Sequence, residues 1–474
     1  MTVNFDGGFQ NTLEDRFNDF KPAFDPTEAR IEANRCINCF DAPCIRACPA
    51  EINIPRFISR IASANTRGAA KTILDSNVLG LSCGQSCPTE VLCEGACVYN
   101  TLDGQPIKIG KLQRFAVEHA YGNKIRFYRP GKASGRKVAL IGAGPASLAC
   151  AHELRKYGHE TVILEKQRFP GGLNTAGIAP YKMKAAVSLR EIEEIAAMGV
   201  KFEYEKELGK NLALGDLAKD YDAVFLGMGL GPDSRFDAPG ANLPQIHGAV
   251  DFISRLKTQP ASKFEWLRKA SAPGAAGHAA PHSGAAGHAA PHSGAAGHAA
   301  LALIIGGGNT AIDACRELKG LGIPRVVVSY RRGDADMSGY KHETKWAKQE
   351  GVEFWFHTLP VRFESLSDES GVRATIKKTK TDVSGKVVTL DEAMTLDAAI
   401  VLVATGQSRL EKLFAGVAGL AFENGCLKVD PKTGRTGNPK IYAGGDLVSG
   451  GMEVVNAVAE GKVAAIAIHE ALSH

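Results

Sequence analysis

Apolar and polar positions divide the chain into segments of two kinds. Residues 1–120 hold stretches such as DPTEARIEANRC and GAAKTILDSN, whose patterns predict helices separated by proline turns. From residue 137 the pattern becomes an apolar run, a glycine turn, a longer helical stretch and a second apolar run. This strand–turn–helix–strand pattern recurs at 301–332, and residues 441–472 again predict strand, turn and helix. The order predicts an α/β protein with two Rossmann-like nucleotide-binding domains behind an α-helical domain.

Length and low-complexity sequence refine this division. With 474 residues the chain is too long for one hydrophobic core, and RPGKASGRK (129–137) predicts an exposed linker. Between the two nucleotide units, residues 274–300 contain two copies of a decapeptide and a truncated third, rich in Gly, Ala and His. Such a composition cannot bury a core, so we expect a disordered surface loop there. Metal binding by its five histidines is the alternative.

Composition narrows the class of protein. Hydrophobic residues make up 44% and charged residues 23% of the chain, which is ordinary for a globular protein. The net charge of +5 gives no case for nucleic acid as a partner. No apolar run predicts a signal peptide or a membrane span, so we expect a cytoplasmic protein. Thiols stay reduced in that compartment, and the eight of eleven cysteines between residues 36 and 97 are therefore not expected to form disulfides.

The first strand–turn–helix unit (137–166) carries a dinucleotide fingerprint. Gly142, Gly144 and Ser147 occupy the three positions of G-x-G-x-x-G. The first glycine allows a tight turn, and the second lets a pyrophosphate approach the helix N-terminus, where free N–H groups bind anions. Ser147 departs from the usual Gly or Ala but is small. Glu165 ends the next strand, where its carboxylate can accept hydrogen bonds from ribose hydroxyls.

The second unit predicts a different nucleotide. Gly306, Gly308 and Ala311 fit the same fingerprint, but the next strand ends in Arg331 and Arg332 instead of an acid. A carboxylate would repel a 2′-phosphate, whereas guanidinium groups pair with it. We therefore expect this unit to bind NADP(H) in preference to NAD(H).

Two dinucleotide sites in one chain indicate a flavoprotein that takes hydride from a nicotinamide. ATGQ (404–407) and YAGGD (442–446) are expected where strands return to the flavoprotein core. Asp446 is predicted near the FAD ribityl and pyrophosphate, and the helix beginning near Glu453 should point its positive end at the flavin. Cys315 stands alone in the nicotinamide unit and predicts no redox dithiol. No catalytic side chain is predicted, because the work of the chain is positioning.

The N-terminal cysteines form two runs. The first is C-x2-C-x4-C-x3-C-P, from Cys36, Cys39, Cys44 and Cys48, and the second is C-x3-C-P-x5-C-x3-C, from Cys83, Cys87, Cys93 and Cys97. Structural zinc sites usually pair two short C-x2-C hooks, and only one is present. The first run is similar to that of bacterial ferredoxins. Two [4Fe–4S] clusters are therefore expected, with zinc or free thiols as the alternatives, and counting cysteines alone makes Cys83 the eighth ligand.

These motifs together resemble those of a known family. The chain is similar to the NADPH/FAD/iron–sulfur half of dihydropyrimidine dehydrogenase, to the separate bacterial subunit equivalent to that half, and more distantly to the small subunit of glutamate synthase. The resemblance covers nearly the whole chain apart from the insert. It depends on the motifs CINCFDAPCIRACP, LGLSCGQSCPTEVLCEGAC, PIKIGKLQRFA, GAGPAS, EKQRFPGGL, GGGNTAID and YAGGD.

The resemblance implies the cluster ligands. One cluster would take Cys36, Cys39, Cys44 and Cys97, and the other would take Cys48, Cys87, Cys93 and the side-chain oxygen of Gln113. The glutamine ligand comes from the resemblance alone, and it leaves Cys83 unliganded.

The nucleotide sites and the domains follow from the motifs and the resemblance together. In APYKMK (179–184) family members commonly carry an arginine near Lys182. The positions predicted to bind FAD or NADP(H) are Gly142, Gly144, Pro145, Ala146, Glu165, Gly172, Leu173, Lys182, Gly306, Gly308, Asn309, Thr310, Asp313, Arg331, Arg332, Ala404, Gly406, Gly445, Asp446, Glu453 and Val454. The predicted domains are the helical two-cluster domain at 1–128, the FAD-binding domain at 136–248 and 404–474, and the NADP(H)-binding domain at 249–403.

The resemblance also implies a partner. The full-length pyrimidine enzyme has a C-terminal FMN barrel that reduces uracil and thymine, and we expect that barrel to belong to a separate subunit here. The expected role is electron input: NADPH reduces FAD, and the clusters pass electrons to an FMN/iron–sulfur subunit. Two alternatives stay open, a glutamate synthase small subunit or similar NADPH-to-acceptor adaptor, and a non-enzymatic scaffold that binds zinc and nucleotides.

Overall fold

The structure is a computed structural model that describes residues 9–102, 104–264, 266–267, 301–367 and 371–473. The repeat at 274–300, predicted to be a disordered loop, lies outside these residues. Within them, no helix combines the length and the apolar character that crossing a membrane requires.

Helices form the described part of the N-terminal domain. They are α1 (Pro26–Asn34), α2 (Pro43–Arg46), α3 (Ile54–Ala62), α4 (Thr66–Ser76), α5 (Gly80–Ser86) and α6 (Ile109–Gly122), with 3₁₀ turns at Leu13–Arg16, Thr89–Val91 and Val98–Thr101. The start of α1 shows how sequence sets a boundary: Pro26 occupies the first turn, and Asp25 and Glu28 form a capping box. Apolar faces of α3, α4 and α6 meet in a core that contains Phe57, Ile73 and Leu112.

The first sheet has five parallel strands in the order β15-β4-β1-β2-β3. The strands are β1 (Lys137–Ile141), β2 (Glu160–Leu164), β3 (Lys201–Glu203), β4 (Ala223–Leu226) and β15 (Ile441–Ala443). Most of their residues are buried in unbroken apolar runs, as expected of a parallel sheet covered on both faces. The connecting helices are α7 (Pro145–Lys156), α8 (Leu173–Ala176), α9 (Ala185–Ala196) and α10 (Leu214–Asp220), and α14 (Asp446–Ser449) and α15 (Val454–Leu472) follow β15.

The second sheet is also parallel, in the order β5-β12-β6-β7-β8. Its strands are β5 (Ile246–Gly248), β6 (Leu301–Ile305), β7 (Arg325–Tyr330), β8 (Glu353–Phe356) and β12 (Ile400–Val403), with helices α11 (Ala249–Thr258), α12 (Asn309–Gly320) and α13 (Lys341–Gln349). Strand β5 pairs with β12. The second sheet therefore begins a few residues before the boundary predicted at 249.

An antiparallel sheet covers one face of the second parallel sheet. It consists of β9 (Thr358–Ser365), β10 (Val372–Thr381) and β11 (Val387–Ala398), in the order β11-β10-β9. Phe363, Ile376 and Leu396 from these strands share an apolar core with Leu303 and Val403 of the parallel sheet. A short hairpin, β13 (Phe422–Glu423) and β14 (Cys426–Leu427), and 3₁₀ turns at Ala261–Lys263, Asp334–Asp336 and Glu411–Phe414 complete the described elements.

Helix α15 joins the first sheet to the helical domain. Its length packs along α7, while Val455 in its first turn is buried in the core of the helical domain. A second link comes from Glu191 of α9, whose carboxylate accepts hydrogen bonds from the backbone N–H groups of Leu81 and Ser82 at 2.6 and 3.1 Å. The N-terminus of α15 therefore lies where the cysteine-rich domain meets the flavoprotein core.

Candidate functional site

The first glycine turn lies between β1 and α7. Gly142 has φ +88°, and a Cβ there would lie 2.7 Å from the carbonyl oxygen of Gly227, so only glycine fits. Gly144 is the N-cap of α7 and provides no capping side chain, so the N–H groups of the first turn, which begins with Pro145 and Ala146, are left for a ligand. Gly172 approaches this turn so closely that a Cβ on it would lie 3.2 Å from Cα of Gly144.

Ser147 fits the third fingerprint position because of its neighbour. Its side chain is fully buried, and its hydroxyl has no hydrogen-bond partner among the residues that the structure describes. A Cβ on Gly227 would lie 2.2 Å from that hydroxyl oxygen. The small departure from Gly or Ala at this position is thus accommodated by a glycine after the adjacent strand β4.

Glu165 lies at the carboxyl end of β2, as the fingerprint predicts. One oxygen accepts a hydrogen bond from Ala143 N–H at 2.6 Å and the other from Gln167 N–H at 2.8 Å. Burial raises the pKa of this carboxyl, and the two backbone donors oppose that effect. Each carboxylate oxygen has further acceptor capacity, so ribose hydroxyls can still bind there. Leu173, the other predicted neighbour, begins α8 and is exposed.

The second glycine turn lies between β6 and α12 and has the same design. Gly306 has φ +143°, and a Cβ there would lie 2.3 Å from the carbonyl oxygen of Ala404 at the end of β12. Gly308 is the N-cap of α12 without a capping side chain, and Asn309 and Thr310 form the first turn. The side-chain oxygen of Asn309 accepts a hydrogen bond from Tyr340 N–H at 2.9 Å. That asparagine therefore anchors the loop before α13.

Arg331 and Arg332 directly follow β7. Within the described part of the chain, neither guanidinium group forms a hydrogen bond or an ion pair, although both backbone carbonyls accept one. The nearby acids are already engaged: Asp334 pairs with Lys348, and Asp336 accepts from Gly333 N–H. Among the described residues, these two cations at the edge of the sheet have no counter-ion.

A cavity of about 310 Å³ lies between the two nucleotide units. Thr310 from the first turn of α12 and Ala404 and Gly406 after β12 line it. It is therefore formed by the carboxyl edge of the second sheet, where α/β proteins bind their ligands.

Lys182 and Asp313, both predicted to bind a nucleotide, pair with each other in the structure. The Lys182 ammonium lies 2.8 Å from a carboxylate oxygen of Asp313 and 2.8 Å from one of Glu343. Tyr181 donates a hydrogen bond to Asp313 at 2.7 Å. Burial opposes the charge of Lys182, but the two carboxylates outweigh it and raise its pKa. These residues join the loop before α9 to helices α12 and α13, and thus the two nucleotide units.

The segment after β15 also connects the two units. Asp446 accepts a hydrogen bond from Met452 N–H at 3.0 Å, and Gly445 N–H donates to Glu460. Glu453, the N-cap of α15, precedes Val454 and accepts a hydrogen bond from the hydroxyl of Tyr340. Burial raises the pKa of Glu453. The N-terminus of α15 thus faces the nicotinamide unit on one side and the helical domain on the other.

The first group of thiols consists of Cys36, Cys39, Cys44 and Cys97, the set that the resemblance implies. Burial and the mutual influence of these thiols raise the pKa of Cys36, and that of Cys44 to about 11. The group lies toward the surface, because Cys36, Cys39 and Cys44 are partly exposed and Phe40 between them is fully exposed.

The second group lies deeper. The thiol of Cys87 lies beside that of Cys83, and this neighbour, with burial, raises the pKa of Cys87 well above its ordinary value. Cys48 feels the charge of Cys83, and Cys93 that of Cys48 and Cys44, so the four thiols are neighbours. Gln113 is buried on α6, where its amide nitrogen donates to the carbonyl of Gly80 on α5 at 2.8 Å. Both candidates for the eighth ligand, Cys83 and Gln113, are therefore held at this helix pair.

These donor sets fit iron–sulfur clusters. Each group supplies soft sulfur ligands from a loop-rich segment, and thiolates near one another need a cationic centre to offset their charge. In the described chain, no three His, Cys, Asp or Glu side chains come together as ligands of a single metal ion.

Comparisons with known proteins agree with this geometry. Residues 13–125 match the family model described as dihydropyrimidine dehydrogenase domain II, 4Fe-4S cluster, and residues 136–461 match the pyridine nucleotide-disulphide oxidoreductase model. The NAD-dependent dihydropyrimidine dehydrogenase subunit PreT of Salmonella typhimurium is 33% identical, with 98% of each chain covered. The glutamate synthase [NADPH] small chain of Escherichia coli is 31% identical, over 93% of this chain and 91% of its own.

Solved structures show the same fold. FprA from Mycobacterium tuberculosis, as a His57Gln mutant, gives a TM-score of 0.53 at 20% identity, covering 71% of this chain and 85% of FprA. The complex of FprA with NADPH gives a TM-score of 0.52, also at 20% identity, with 71% and 84% covered.

Proposed function

The chain belongs to the pyridine nucleotide–disulphide oxidoreductase family, in the group of flavin and iron–sulfur electron-transfer subunits, and we propose from this premise that it is the electron-input subunit of a two-subunit dihydropyrimidine dehydrogenase. It would take electrons from NADPH and deliver them to an FMN/iron–sulfur partner that reduces uracil and thymine. Bound FAD would supply the hydride acceptor that can release electrons singly to two [4Fe–4S] clusters.

One observation carries this proposal: the deeper thiol group lies next to the N-terminus of α15, and the outer thiol group lies beyond it, toward the surface. Cys87 of the deeper group feels the charge of Glu453, the N-cap of α15. Cys93 of the same group feels the charge of Cys44 in the outer group, which reaches the surface beside Phe40. Clusters held by these sets would lie in series between the flavoprotein core and the surface of the helical domain.

The residues of this chain would bind and orient the nucleotides without a side-chain acid or base. The first turns of α7 and α12 offer N–H groups to the two diphosphates. The N-terminus of α15 would direct its positive end toward a bound flavin and so favour negative charge there. Lys182, Asp313 and Glu343 would hold the nicotinamide unit against the flavin unit.

We further propose NADP(H) as the electron donor, although the PreT relatives are named NAD-dependent. The support is local: among the described residues, the guanidinium groups of Arg331 and Arg332 have no partner, and in this type of fold the residues after the second strand face the 2′ position of the adenosine ribose. Guanidinium groups bind phosphate through paired, charge-assisted hydrogen bonds.

A second candidate function is that of a glutamate synthase small chain or a related adaptor. The support for this candidate is nearly as strong as that for the first. The glutamate synthase small chain is 31% identical over 93% of this chain, and the PreT subunit is 33% identical over 98%. In that case the partner would be a glutamine-dependent synthase, and the same two clusters would serve as its electron input.

Anaerobic purification of the native protein with its partner tests the proposal. The complex should contain FAD, FMN and acid-labile sulfide, and should oxidise NADPH when uracil or thymine is added. Oxidation that requires glutamine and 2-oxoglutarate instead would select the second candidate. Protein that lacks acid-labile sulfide would refute both.

A further inference from the structure

Arg409 is a cation in the cavity between the nucleotide units that none of the sequence motifs predicts. Its exposed side chain lines the 310 Å³ cavity together with Thr310 and Gly406. It forms no hydrogen bond or ion pair with any residue that the structure describes. Burial raises the pKa of Asp446, and the charge of Arg409 partly opposes that effect, but the two side chains do not pair.

Two glycines give the side chain of Arg409 its position. A Cβ on Gly425 would lie 2.5 Å from Cγ of Arg409, and a Cβ on Gly450 would lie 2.9 Å from one of its guanidinium nitrogens. Both glycines have positive φ, +73° and +82°. The aliphatic part of Arg409 therefore lies against the backbone of Gly425, and its guanidinium group lies against the backbone of Gly450. A side chain at either glycine would fill the space that the arginine occupies. A guanidinium group held in place without an acceptor is prepared for an external anion.

The anion is identified by what shares the cavity. Thr310 belongs to the first turn of α12, whose uncapped N-terminus is the expected place for the diphosphate of the nicotinamide nucleotide. No residue of the other glycine turn, 142–147, lines the cavity. The carboxylate of Asp233 does line it, but both of its oxygens are turned to the N–H groups of Val250 and Asp251.

We propose that Arg409 binds the diphosphate of the nicotinamide nucleotide and thereby places its nicotinamide end in the cavity. Arg331 and Arg332 would fix the adenosine end, so the two sets of arginines would hold opposite parts of one ligand. This inference depends on binding of a nicotinamide nucleotide and not on the partner subunit; the adenosine 2′,5′-bisphosphate arm of its test also depends on the 2′-phosphate site proposed at Arg331 and Arg332.

Equilibrium binding to the oxidised, FAD- and cluster-loaded protein tests the proposal. Arg409→Ala should weaken NADP⁺ and NAD⁺ by the same factor, about 10- to 100-fold. The affinity for adenosine 2′,5′-bisphosphate, which lacks the diphosphate and the nicotinamide half, should change less than about twofold. Arg409→Lys should recover part of the loss, since a lysine keeps the charge but not the fork of donors.

The double variant Arg331→Ala/Arg332→Ala is the matched control. It should lose adenosine 2′,5′-bisphosphate and NADP⁺ while keeping NAD⁺. Three outcomes would overturn the role of Arg409: unchanged NADP⁺ affinity in Arg409→Ala, equal weakening of the bisphosphate, or loss of FAD with the nucleotide affinity of the remaining loaded protein intact. The last outcome would assign the arginine to FAD. Arg409→Gln, checked by circular dichroism, replaces Arg409→Ala if that variant does not fold.

Discussion

At the scale of single residues, backbone conformation and charge distinguish the predicted nucleotide sites. Gly142 and Gly306 adopt positive φ and each touches a carbonyl at the end of a neighbouring strand. Arg331 and Arg332 have no partner among the described residues. The sequence predicted these four, because each follows an apolar run at a fixed spacing. Arg409 lies in a loop without such a pattern, and only the folded chain brings it to the cavity.

Removing both arginines after β7 should change nucleotide preference. Arg331→Ala with Arg332→Ala deletes the groups proposed to pair with the 2′-phosphate, so we expect kcat/KM for NADPH to fall about 10- to 100-fold and that for NADH by less than about threefold. Arg325→Ala is the control, because Arg325 begins the same strand and pairs with the partly exposed Glu353. Equal losses for both nucleotides would contradict the assignment.

His152 should make stability fall at acid pH. Burial, with the charges of Lys156 and Lys462, lowers its pKa from 6.5 to about 3. Below pH 6.5 the imidazole of His152 is protonated in the unfolded chain, whereas in the folded chain it stays neutral down to about pH 3. Protonation therefore favours the unfolded chain, and stability falls as the pH falls through this range. Because of this group, the free energy of unfolding should be about 2 kcal/mol lower at pH 5 than at pH 7.

The variant His152→Gln should lose that part of the pH dependence. Urea unfolding at pH 5 and pH 7, followed by circular dichroism, measures it, and the exposed His119→Gln serves as the control. A pH dependence that is the same in His152→Gln and in the parent would show that other groups cause the acid destabilisation.

At the scale of elements, prediction from sequence succeeds where the signal is local. Strands β1 and β6 and helices α7 and α12 follow from an apolar run, glycines at set spacings and a helical pattern. The pairing of Lys182 with Asp313 and Glu343 does not, because 131 and 161 residues separate the partners and no periodicity links them. Packing of one nucleotide unit on the other creates it, and so two residues predicted to touch a nucleotide also connect the two units.

Lys182→Met should loosen the nicotinamide unit. It leaves two largely buried carboxylates without their cation, at a cost of about 3 kcal/mol, whereas Lys182→Arg should retain most of the stability. The three tryptophans of the chain, Trp266, Trp346 and Trp355, all lie in the predicted nicotinamide domain, so their fluorescence reports its unfolding in urea.

The pH dependence gives a second check. The raised pKa of Lys182 stabilises the folded chain at neutral pH, and this contribution is lost as pH rises above the ordinary value of 10.5 through the raised one. Lys182→Met should therefore differ most from the parent at neutral pH and least at high pH. An unchanged urea midpoint in Lys182→Met would show that the three side chains do not hold the units together.

At the scale of the whole molecule, helix α15 connects the helical domain that carries the thiol groups to the two units that contain the parallel sheets. Its first turn is buried in the helical core, its body packs on α7, and its N-cap accepts a hydrogen bond from the nicotinamide unit. The resemblance predicts which cysteines form the outer thiol group. The eighth ligand was not settled by spacing, because Cys83 and Gln113 lie on helices α5 and α6, which meet only in the folded domain.

Iron content decides between these two residues. With the proposed ligand set, Gln113→Leu should reduce the protein from about eight to about four irons and acid-labile sulfides per chain, while Cys83→Ala should keep about eight. Gln113→Glu is the control, since a carboxylate oxygen can replace the amide oxygen as ligand. The thiol of Cys83 lies beside that of Cys87, so the opposite result has a structural basis: if Cys83→Ala loses four irons and Gln113→Leu loses none, the deeper cluster is held by four cysteines. In either case the outer group should keep its cluster, because its cysteines contribute nothing to the deeper set, and the spectrum of that remaining cluster after anaerobic reduction identifies which one was lost.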